Sequence, residues 1–435
     1  MVSVLNPRLY FSAISQTDGI WNRIEQIQMS DDKKGKIIIH VGDTSNVEIQ
    51  TVESGLEDDD IQVEYQEEEI EVPVKKKKRK RESREVFFDI LRILAIFMVL
   101  YTQTDSYQLF AECVAGSFGY IFFMMLSVAA YCGPYIFFMI SGALLLDKEE
   151  TLSQVFKKRI LRMLCVLLII TVMYYFSDIL AGKDKLDIRT FFGDLYAKER
   201  ITALWFLYAY LGFLICLPFL RAMAKNMSVK EFLYMTIIVF VISFVFPEFE
   251  EKILYSRYVF NSNFSLGWLT TSIIIYPIAG YFLHKRLTTD MLTKLLPIVW
   301  GVNLVVMGII VYNTKYYTTY TESVRLYTGY FSWGCLSNAF AVFMTAKVLF
   351  SGKKFGRIPE KVLRSVSGCV MGVYLFHPAV LDRIKFFDNI EAKIFGEITG
   401  PMKIFPCFLW IGIVFIVCLV PTWIIRRLPF AKKIL

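Results

Sequence analysis

The stretch that decides the fold is REVFFDILRILAIFMVLYTQTDS, residues 84–106. It is apolar enough to begin a membrane helix, yet it carries Asp89, Arg92 and Gln103. A charge at membrane depth is costly unless it is paired or faces a cavity, so these residues indicate a functional site. At ~100° per residue, Arg92 and Gln103 lie within ~20° of each other and ~16 Å apart along the helix. Asp89 shares their face, so the first membrane helix is expected to carry one polar side.

The composition of the whole chain indicates a polytopic membrane protein. Its 435 residues are 55% hydrophobic, and the mean hydropathy is +0.47. The eight cysteines include no Cys-x-x-Cys pair, which argues against a metal or redox site. The net charge of +8 comes from basic residues beside apolar segments, which indicates membrane topology rather than nucleic-acid binding. We expect no cleavable leader, because no basic segment followed by an apolar core opens the chain.

Ten apolar runs predict an all-α bundle of membrane helices over residues 86–430. The predicted spans are 87–107, 118–146, 160–181, 203–224, 229–248, 264–284, 293–313, 328–350, 365–384 and 403–426. Basic residues concentrate in alternate connections, which places both termini in the cytoplasm of a cell-membrane protein.

Residues 1–85 are expected to form a charged cytoplasmic tail or a small module. An acidic stretch precedes a basic block at 75–81, and this charge density predicts a largely disordered segment. Alternating apolar residues at 36–41 and 61–74 are typical of short strands. The basic block beside the first span is expected to contact membrane lipid.

A second basic pair lies at the predicted cytoplasmic start of the third span. Arg159 and Arg162 are three residues apart and share a helix face. Guanidinium groups match the geometry of phosphate, which suits a cytoplasmic phosphate-bearing ligand. Such residues are also typical of a basic flank that extends to the membrane surface. In the same way, Asp89 and Arg92 could form a purely structural ion pair.

Five segments together resemble integral-membrane acyltransferase family 3. They are FDILRILAI (88–96), IFFMISGALL (136–145), FKKRILR (156–162), LWFLY (204–208) and VYLFHP (373–378), in the order of the family's motifs. The resemblance implies transfer of an acyl group, usually acetyl from acetyl-CoA, to a hydroxyl of an extracytoplasmic glycan or related acceptor. We expect no metal cofactor, as the cysteine pattern already indicates. Because the sequence ends soon after the tenth span, any later transfer is expected to need a separate extracytoplasmic transferase.

The resemblance also implies roles for individual residues. Arg92, Arg159 and Arg162, with Asp89 beside them, would bind the phosphates of acyl-CoA. The family's catalytic histidine corresponds to Gln103, whose amide cannot take up a proton near pH 7. Loss of a general base costs roughly 10²–10⁴ in rate.

His377 is the candidate substitute base. Two other interpretations of this residue remain open: a histidine hydrogen-bonded between packed helices, and a contact with the substrate. Ser141 and Gly142 are candidate substrate-binding residues where an acyl chain passes, but small residues also let membrane helices approach closely. Trp205 is a weaker candidate, since aromatic residues in membrane helices are more often anchors or core residues.

Two other classes of function remain open. A relative that binds coenzyme A or a glycan without efficient transfer would explain Gln103, and it would act as a partner or regulator. A transporter is less favoured, because we find no matching pair of Gly/Pro-interrupted helices in the two halves of the sequence.

Overall fold

The protein is described by a computed structural model that covers residues 36–39, 49–52, 85–247, 272–321, 332–353, 355–396 and 400–428, and single positions 250, 261 and 398. The chain divides into two compact units, Met1–Lys80 and Arg81–Leu435. In the first unit, β1 (Lys36–Ile39) pairs antiparallel with β2 (Ile49–Val52). β1 falls within the predicted strand run 36–41, whereas the run 61–74 and the charged blocks lie outside the described residues.

The second unit is built from helices. They are α1 (Val86–Gln103), α2 (Phe118–Ala130), α3 (Gly133–Leu145), α4 (Leu152–Val155), α5 (Leu161–Leu180), α6 (Ile188–Ala197), α7 (Trp205–Asn226), α8 (Val229–Phe240), α9 (Ser272–Tyr281), α10 (Thr289–Thr321), α11 (Trp333–Phe350), α12 (Arg357–Asp382), α13 (Lys385–Phe395) and α14 (Ile404–Ile425). π-Helical turns at Phe156–Ile160, Val241–Val245 and Phe282–Arg286 continue α4, α8 and α9. Ser117, Thr151 and Ser228 cap the first turns of α2, α4 and α8 through their hydroxyl groups.

Helices lie in the described portions of all ten predicted spans, so the all-α membrane fold is confirmed for the described part of this unit. Seven described helical segments are long and apolar enough to cross a membrane. They are Val86–Gln103, Phe118–Leu145, Leu152–Leu180, Thr202–Asn226, Thr289–Tyr316, Trp333–Phe350 and Gly400–Ile425. The predicted spans 264–284 and 328–350 begin at residues outside the described part, and their described portions are helical.

α1 lies at the centre of the bundle, where it packs against α3, α11, α12 and α14. In α1, 61% of an apolar 18-residue stretch is buried, against 17% of the corresponding stretch in α10. α10 is therefore peripheral and presents most of its apolar surface outward, as expected of a helix that faces lipid.

Reciprocal glycines bring α3 and α9 into close contact. A Cβ atom on Gly142 would overlap the backbone of Pro277, and one on Gly280 would overlap the backbone of Met139. Small residues at such crossings let two membrane helices approach closely. The close contact between α3 and α9 therefore explains why position 142 holds a glycine.

Contacts with α14 set the direction of the helices around the site. Phe97 and Tyr101 of α1 meet Phe415 and Phe408, so α1 and α14 are antiparallel. Gly368 and Gly372 of α12 meet Arg426 and Thr422, so α12 is antiparallel to α14 as well. α1 and α12 therefore run parallel, with their first turns at the same end of the bundle.

Candidate functional site

A cavity of ≈ 580 Å³ opens at the end of the bundle where α1 and α12 begin. Five cationic residues line it, and they come from three parts of the sequence: Arg92, Lys158, Arg159, Arg162 and Arg426. So many positive side chains around one space create a strong field for an anionic ligand. The structure thus brings together the three arginines predicted from the sequence.

Asp89 holds Arg92 at the wall of this cavity. The Asp89 side chain is buried, and its Oδ1 accepts hydrogen bonds from Arg92 Nη1 (2.9 Å) and Ser367 Oγ (2.6 Å). The Arg92 side chain stays 24% exposed, and both Arg92 and Ser367 line the cavity. The structural ion pair and the binding role are therefore compatible, because the carboxylate orients the guanidinium without covering it.

Glu150 holds Arg159 in a similar way. Its Oε1 accepts from Arg159 Nη2 at 3.0 Å, and its Oε2 accepts from Arg221 Nη2 at 2.7 Å. Arg221 Nε also donates to the Leu145 carbonyl oxygen at 2.9 Å, which ties this group to the end of α3. Burial disfavours the ionised form of Glu150, but the hydrogen bonds from Arg221 and Arg159 outweigh it and lower the pKa of the carboxyl to about 2.

The π-helical turn Phe156–Ile160 carries two of the cavity's cations. It contains Lys158 and Arg159, and Arg162 follows in the first turn of α5. π-Helical insertions are frequent at functional sites because they change the direction of neighbouring side chains. Lys158, Arg159 and Arg162 thus lie together at the turn and the start of α5, before the apolar part of that helix.

Sequence reasoning missed Lys158 and Arg426 as site residues. Both belong to basic groups beside spans, and in the sequence they could be interpreted as markers of topology. Lys158 directly precedes Arg159, which the sequence predicted as a binding residue. That adjacency was the one signal that could have identified Lys158. No spacing rule connects Arg426 with Arg92, since only the packing of α14 against α1 and α12 brings it to the cavity.

The remaining wall is apolar with a few hydroxyl groups. Its apolar lining is Phe137, Met163, Val166, Phe206, Leu214, Val370 and Met371. Ser141 Oγ donates to the Tyr210 hydroxyl at 3.2 Å, and both residues line the cavity. A ligand with a charged part and a long, less polar part would match both kinds of wall.

Gly142 and Trp205 lie beside the cavity but are not among its lining residues. Gly142 contacts Pro277 of α9, as described above. The Trp205 ring lies 6.2 Å from that of Tyr135 and 6.3 Å from that of Phe206, measured between centroids. Of the three predicted substrate-binding residues, the structure thus places Ser141 in the cavity wall and the other two behind it.

Gln103 ends α1, far from the basic residues. It follows Asp89 by fourteen positions, which corresponds to ~21 Å of helical rise. The residue is half-buried and is not among the lining residues of the cavity. The base position of the family pattern and the cation group therefore occupy opposite ends of the same helix.

Along the direction of the helices, His377 of α12 lies between the level of the cavity cations and the level of Gln103. Counted from the Asp89–Ser367 contact, it is ten residues along α12, so it lies ~6 Å nearer to the cavity than Gln103. The imidazole is fully buried, and its Nδ1 is 2.7 Å from the carbonyl oxygen of Tyr374, a residue that lines the cavity. A carbonyl only accepts, so Nδ1 carries the proton and Nε2 keeps its lone pair. Nε2 has no hydrogen-bond partner among the described residues.

The described residues contain no group of three or more His, Cys, Asp or Glu side chains that could hold a metal ion. The cysteines are all free thiols, and most of them are buried.

Comparison with known proteins identifies one family. The model of acyltransferase family 3, described as an acyltransferase domain, matches residues 85–427. No curated protein and no solved structure matches this chain. The matched range includes every helix of the membrane unit and every residue of the cavity.

Proposed function

Since the match spans more than half of its length, the chain belongs to acyltransferase family 3, and we propose that it transfers an acyl group from acyl-CoA to a hydroxyl of an extracytoplasmic glycan or related acceptor. The donor would enter from the cytoplasm, with both termini on that side of a cell membrane. Membrane acyl transfer follows from the family. The acyl-CoA donor, the acetyl group and the glycan acceptor go beyond what the family match supports, and they are proposed here.

The observation that supports an acyl-CoA donor is the cavity with five cations and an apolar wall. Coenzyme A carries a diphosphate, a 3′-phosphate and a long pantetheine arm. Arg92 and Arg159 present guanidinium groups already oriented by carboxylates, which reduces the entropy lost on binding phosphate. The pantetheine arm would extend along Phe137, Phe206 and Met371 toward the interior of the bundle.

His377 is the group we assign to proton transfer. Its Nε2 would take the proton of the acceptor hydroxyl, whose oxygen then bonds to the thioester carbonyl carbon. As the carbon–sulfur bond breaks, the thiolate takes that proton from His377 and the imidazole returns to its neutral form. The hydrogen bond to the Tyr374 carbonyl fixes the tautomer that this step needs.

The second candidate function is a binding or regulatory relative that transfers poorly. Gln103 favours it, because the family's base position holds an amide that cannot accept a proton at neutral pH. Such a protein would bind acyl-CoA in the same cavity. Transport, the least favoured class, would use the polar face of α1 as part of a path.

Acetyl-CoA binding and transfer distinguish these functions. The full chain, in lipid nanodiscs, would be tested for calorimetric binding of acetyl-CoA and for transfer of labelled acetyl to a panel of neutral and N-acetylated glycosides. We expect Arg92→Ala to lose binding. We expect His377→Asn, which can keep a donor near the Tyr374 carbonyl, to bind normally and to lose roughly 10²–10⁴ of the transfer rate.

The outcomes separate the candidates. Transfer by the wild type that depends on His377 supports the proposed enzyme. Binding without transfer, with transfer gained by Gln103→His, supports the impaired relative instead. Absence of acetyl-CoA binding in the wild type contradicts both.

A further inference from the structure

Arg426 immediately follows α14 and is held against the surface of α12. Its guanidinium lines the cavity together with Arg92 and Gly368. Nη1 donates to Cys369 Sγ at 3.7 Å, and a thiol sulfur is a weak acceptor. The guanidinium therefore has most of its hydrogen-bonding capacity left for another group.

Gly368 provides the space that Arg426 occupies. A Cβ atom at this position would lie 2.9 Å from both Cζ and Nη2 of Arg426, and it would overlap Nη1. Gly142 and Gly280, by contrast, make room for the backbone of a neighbouring helix. At Gly368 the missing side chain admits the end of a long cationic side chain into a cavity wall.

The charge balance sets Arg426 apart from the neighbouring arginines. Arg92 is paired with Asp89, and Arg159 is paired with Glu150. Arg426 is half-buried and forms no ion pair with a carboxylate among the described residues. Partial burial of an unbalanced guanidinium is unfavourable unless an anion accompanies it, and phosphate matches the guanidinium fork with two hydrogen bonds.

We propose that Arg426, admitted by Gly368, binds a phosphate of the nucleotide part of the acyl donor. This inference rests on the proposed function, and it adds a phosphate-binding residue for the nucleotide part of the acyl-CoA donor. Arg426 is a binding residue in this proposal, and Gly368 is a positioning residue.

The test compares Arg426 with the next residue in the chain. Arg427 has the same charge, but its guanidinium stacks over the Trp423 ring at 3.5 Å and is not among the residues that line the cavity. Wild type, Arg426→Ala and Arg427→Ala would be titrated in nanodiscs with acetyl-CoA, acetyl-dephospho-CoA and acetyl-phosphopantetheine. We expect Arg426→Ala to weaken acetyl-CoA binding about 10- to 100-fold and Arg427→Ala to change it less than about twofold.

The second pair of variants keeps every charge. Gly368→Ala would displace Arg426, whereas at Gly412 of α14 an added Cβ atom meets nothing within 4 Å. We expect Gly368→Ala to weaken acetyl-CoA binding at least about threefold and Gly412→Ala to have no effect. Because Arg426 is flexible, the folded state should survive Gly368→Ala, which size-exclusion chromatography would check.

Each result has a defined meaning. A penalty of Arg426→Ala that disappears with acetyl-dephospho-CoA assigns Arg426 to the 3′-phosphate. A penalty that persists with dephospho-CoA but disappears with acetyl-phosphopantetheine assigns it to the nucleotide's diphosphate. If the wild type binds acetyl-CoA and Arg426→Ala binds as tightly as Arg427→Ala, this inference is wrong and the proposed function stands. If the wild type does not bind acetyl-CoA, the proposed function itself fails.

Discussion

The basic cavity near the start of α1 and the group of charges at the far ends of α5 and α12 contain similar side chains but pair them differently. We call the second group the distal cluster: Arg200, Arg383, Asp178, Asp184 and Asp194. Asp178 lies sixteen residues beyond Arg162 on α5, which corresponds to ~24 Å of helical rise. The two groups therefore mark opposite ends of the bundle.

In the distal cluster the carboxylates outnumber the guanidiniums. Arg200 Nε donates to Asp178 Oδ2 at 2.9 Å, and Arg200 also pairs with Asp184 and Asp194. Arg383 pairs with the other oxygen of Asp178. These ion pairs join the end of α5, the segment before α7 and the end of α12.

At the cavity the cations exceed the acids that contact them. Carboxylates orient Arg92 and Arg159, whereas Arg426 and Lys158 have no carboxylate partner among the described residues. Paired charges hold helices together, and unbalanced charges attract a ligand. The difference predicts that substitutions in the distal cluster change stability, and that substitutions at the cavity change affinity.

The largest effect is expected from Asp178→Ala. The Asp178 side chain is 7% exposed and serves both guanidiniums of the distal cluster, so its loss leaves two largely buried charges without their shared partner. Breaking a buried ion pair costs about 3–5 kcal/mol. Thermal unfolding followed by fluorescence-detected size-exclusion should show a strongly lowered midpoint, while acetyl-CoA affinity of the folded fraction stays unchanged.

The matched control for this prediction is Asp290→Ala. Asp290 is an exposed acid in the first turn of α10 and has no ion pair among the described residues. Its loss should leave the unfolding midpoint close to that of the wild type. If both variants unfold at the same temperature, the distal cluster does not stabilise the bundle.

Glu150→Gln should have an intermediate effect, mainly on affinity. The amide can still accept one hydrogen bond, but it no longer balances the charges of Arg159 and Arg221. We expect acetyl-CoA binding to weaken about three- to tenfold, since Arg159 loses its orientation. Unchanged affinity would mean that Arg159 needs no positioning.

The ionisation of Glu150 predicts that the stability of the folded protein depends on pH. Its pKa of about 2 is depressed below the value of ~4.3 in an unfolded chain. The stability that Glu150 contributes is therefore fully present above the unfolded pKa and is lost as the pH falls through the folded pKa. Unfolding midpoints of wild type and Glu150→Gln, compared from pH 6 to pH 3, should converge toward the acidic end.

The sequence predicted the fold and three of the five cavity cations for separate reasons. Apolar runs define helices locally, so the helix positions followed directly from them. Arg92, Arg159 and Arg162 stood out because each is close to an apolar run or shares a helix face with another charge. These signals are local, so they can be recognised in the sequence without knowledge of how the helices pack.

The rest of the site depends on contacts between distant segments. Ser367 reaches Asp89 across 278 positions, and Arg426 reaches the cavity because α14 is antiparallel to both α1 and α12. The tautomer of His377 depends on a hydrogen bond with the Tyr374 carbonyl, which no pattern in the sequence encodes. The distal cluster was likewise hidden, because Arg200, Asp184 and Asp194 lie in the connection between two predicted spans, and no spacing rule links them with Asp178 or Arg383.

The smallest effect is expected from Asp184→Asn, which removes a more exposed carboxylate partner of Arg200 than Asp178. The hydrogen bond from Arg200 lowers the pKa of Asp184, so its stabilisation is present above the unfolded pKa of ~3.9 and is lost as the pH falls below that value. Because the Asp184 side chain is 29% exposed, salt and water screen the pair. The unfolding midpoint of Asp184→Asn should be slightly below that of the wild type at low ionic strength, and the difference should vanish in 1 M salt. A drop as large as that of Asp178→Ala, or one that salt does not reduce, would show that exposure does not divide the distal cluster into strong and weak pairs.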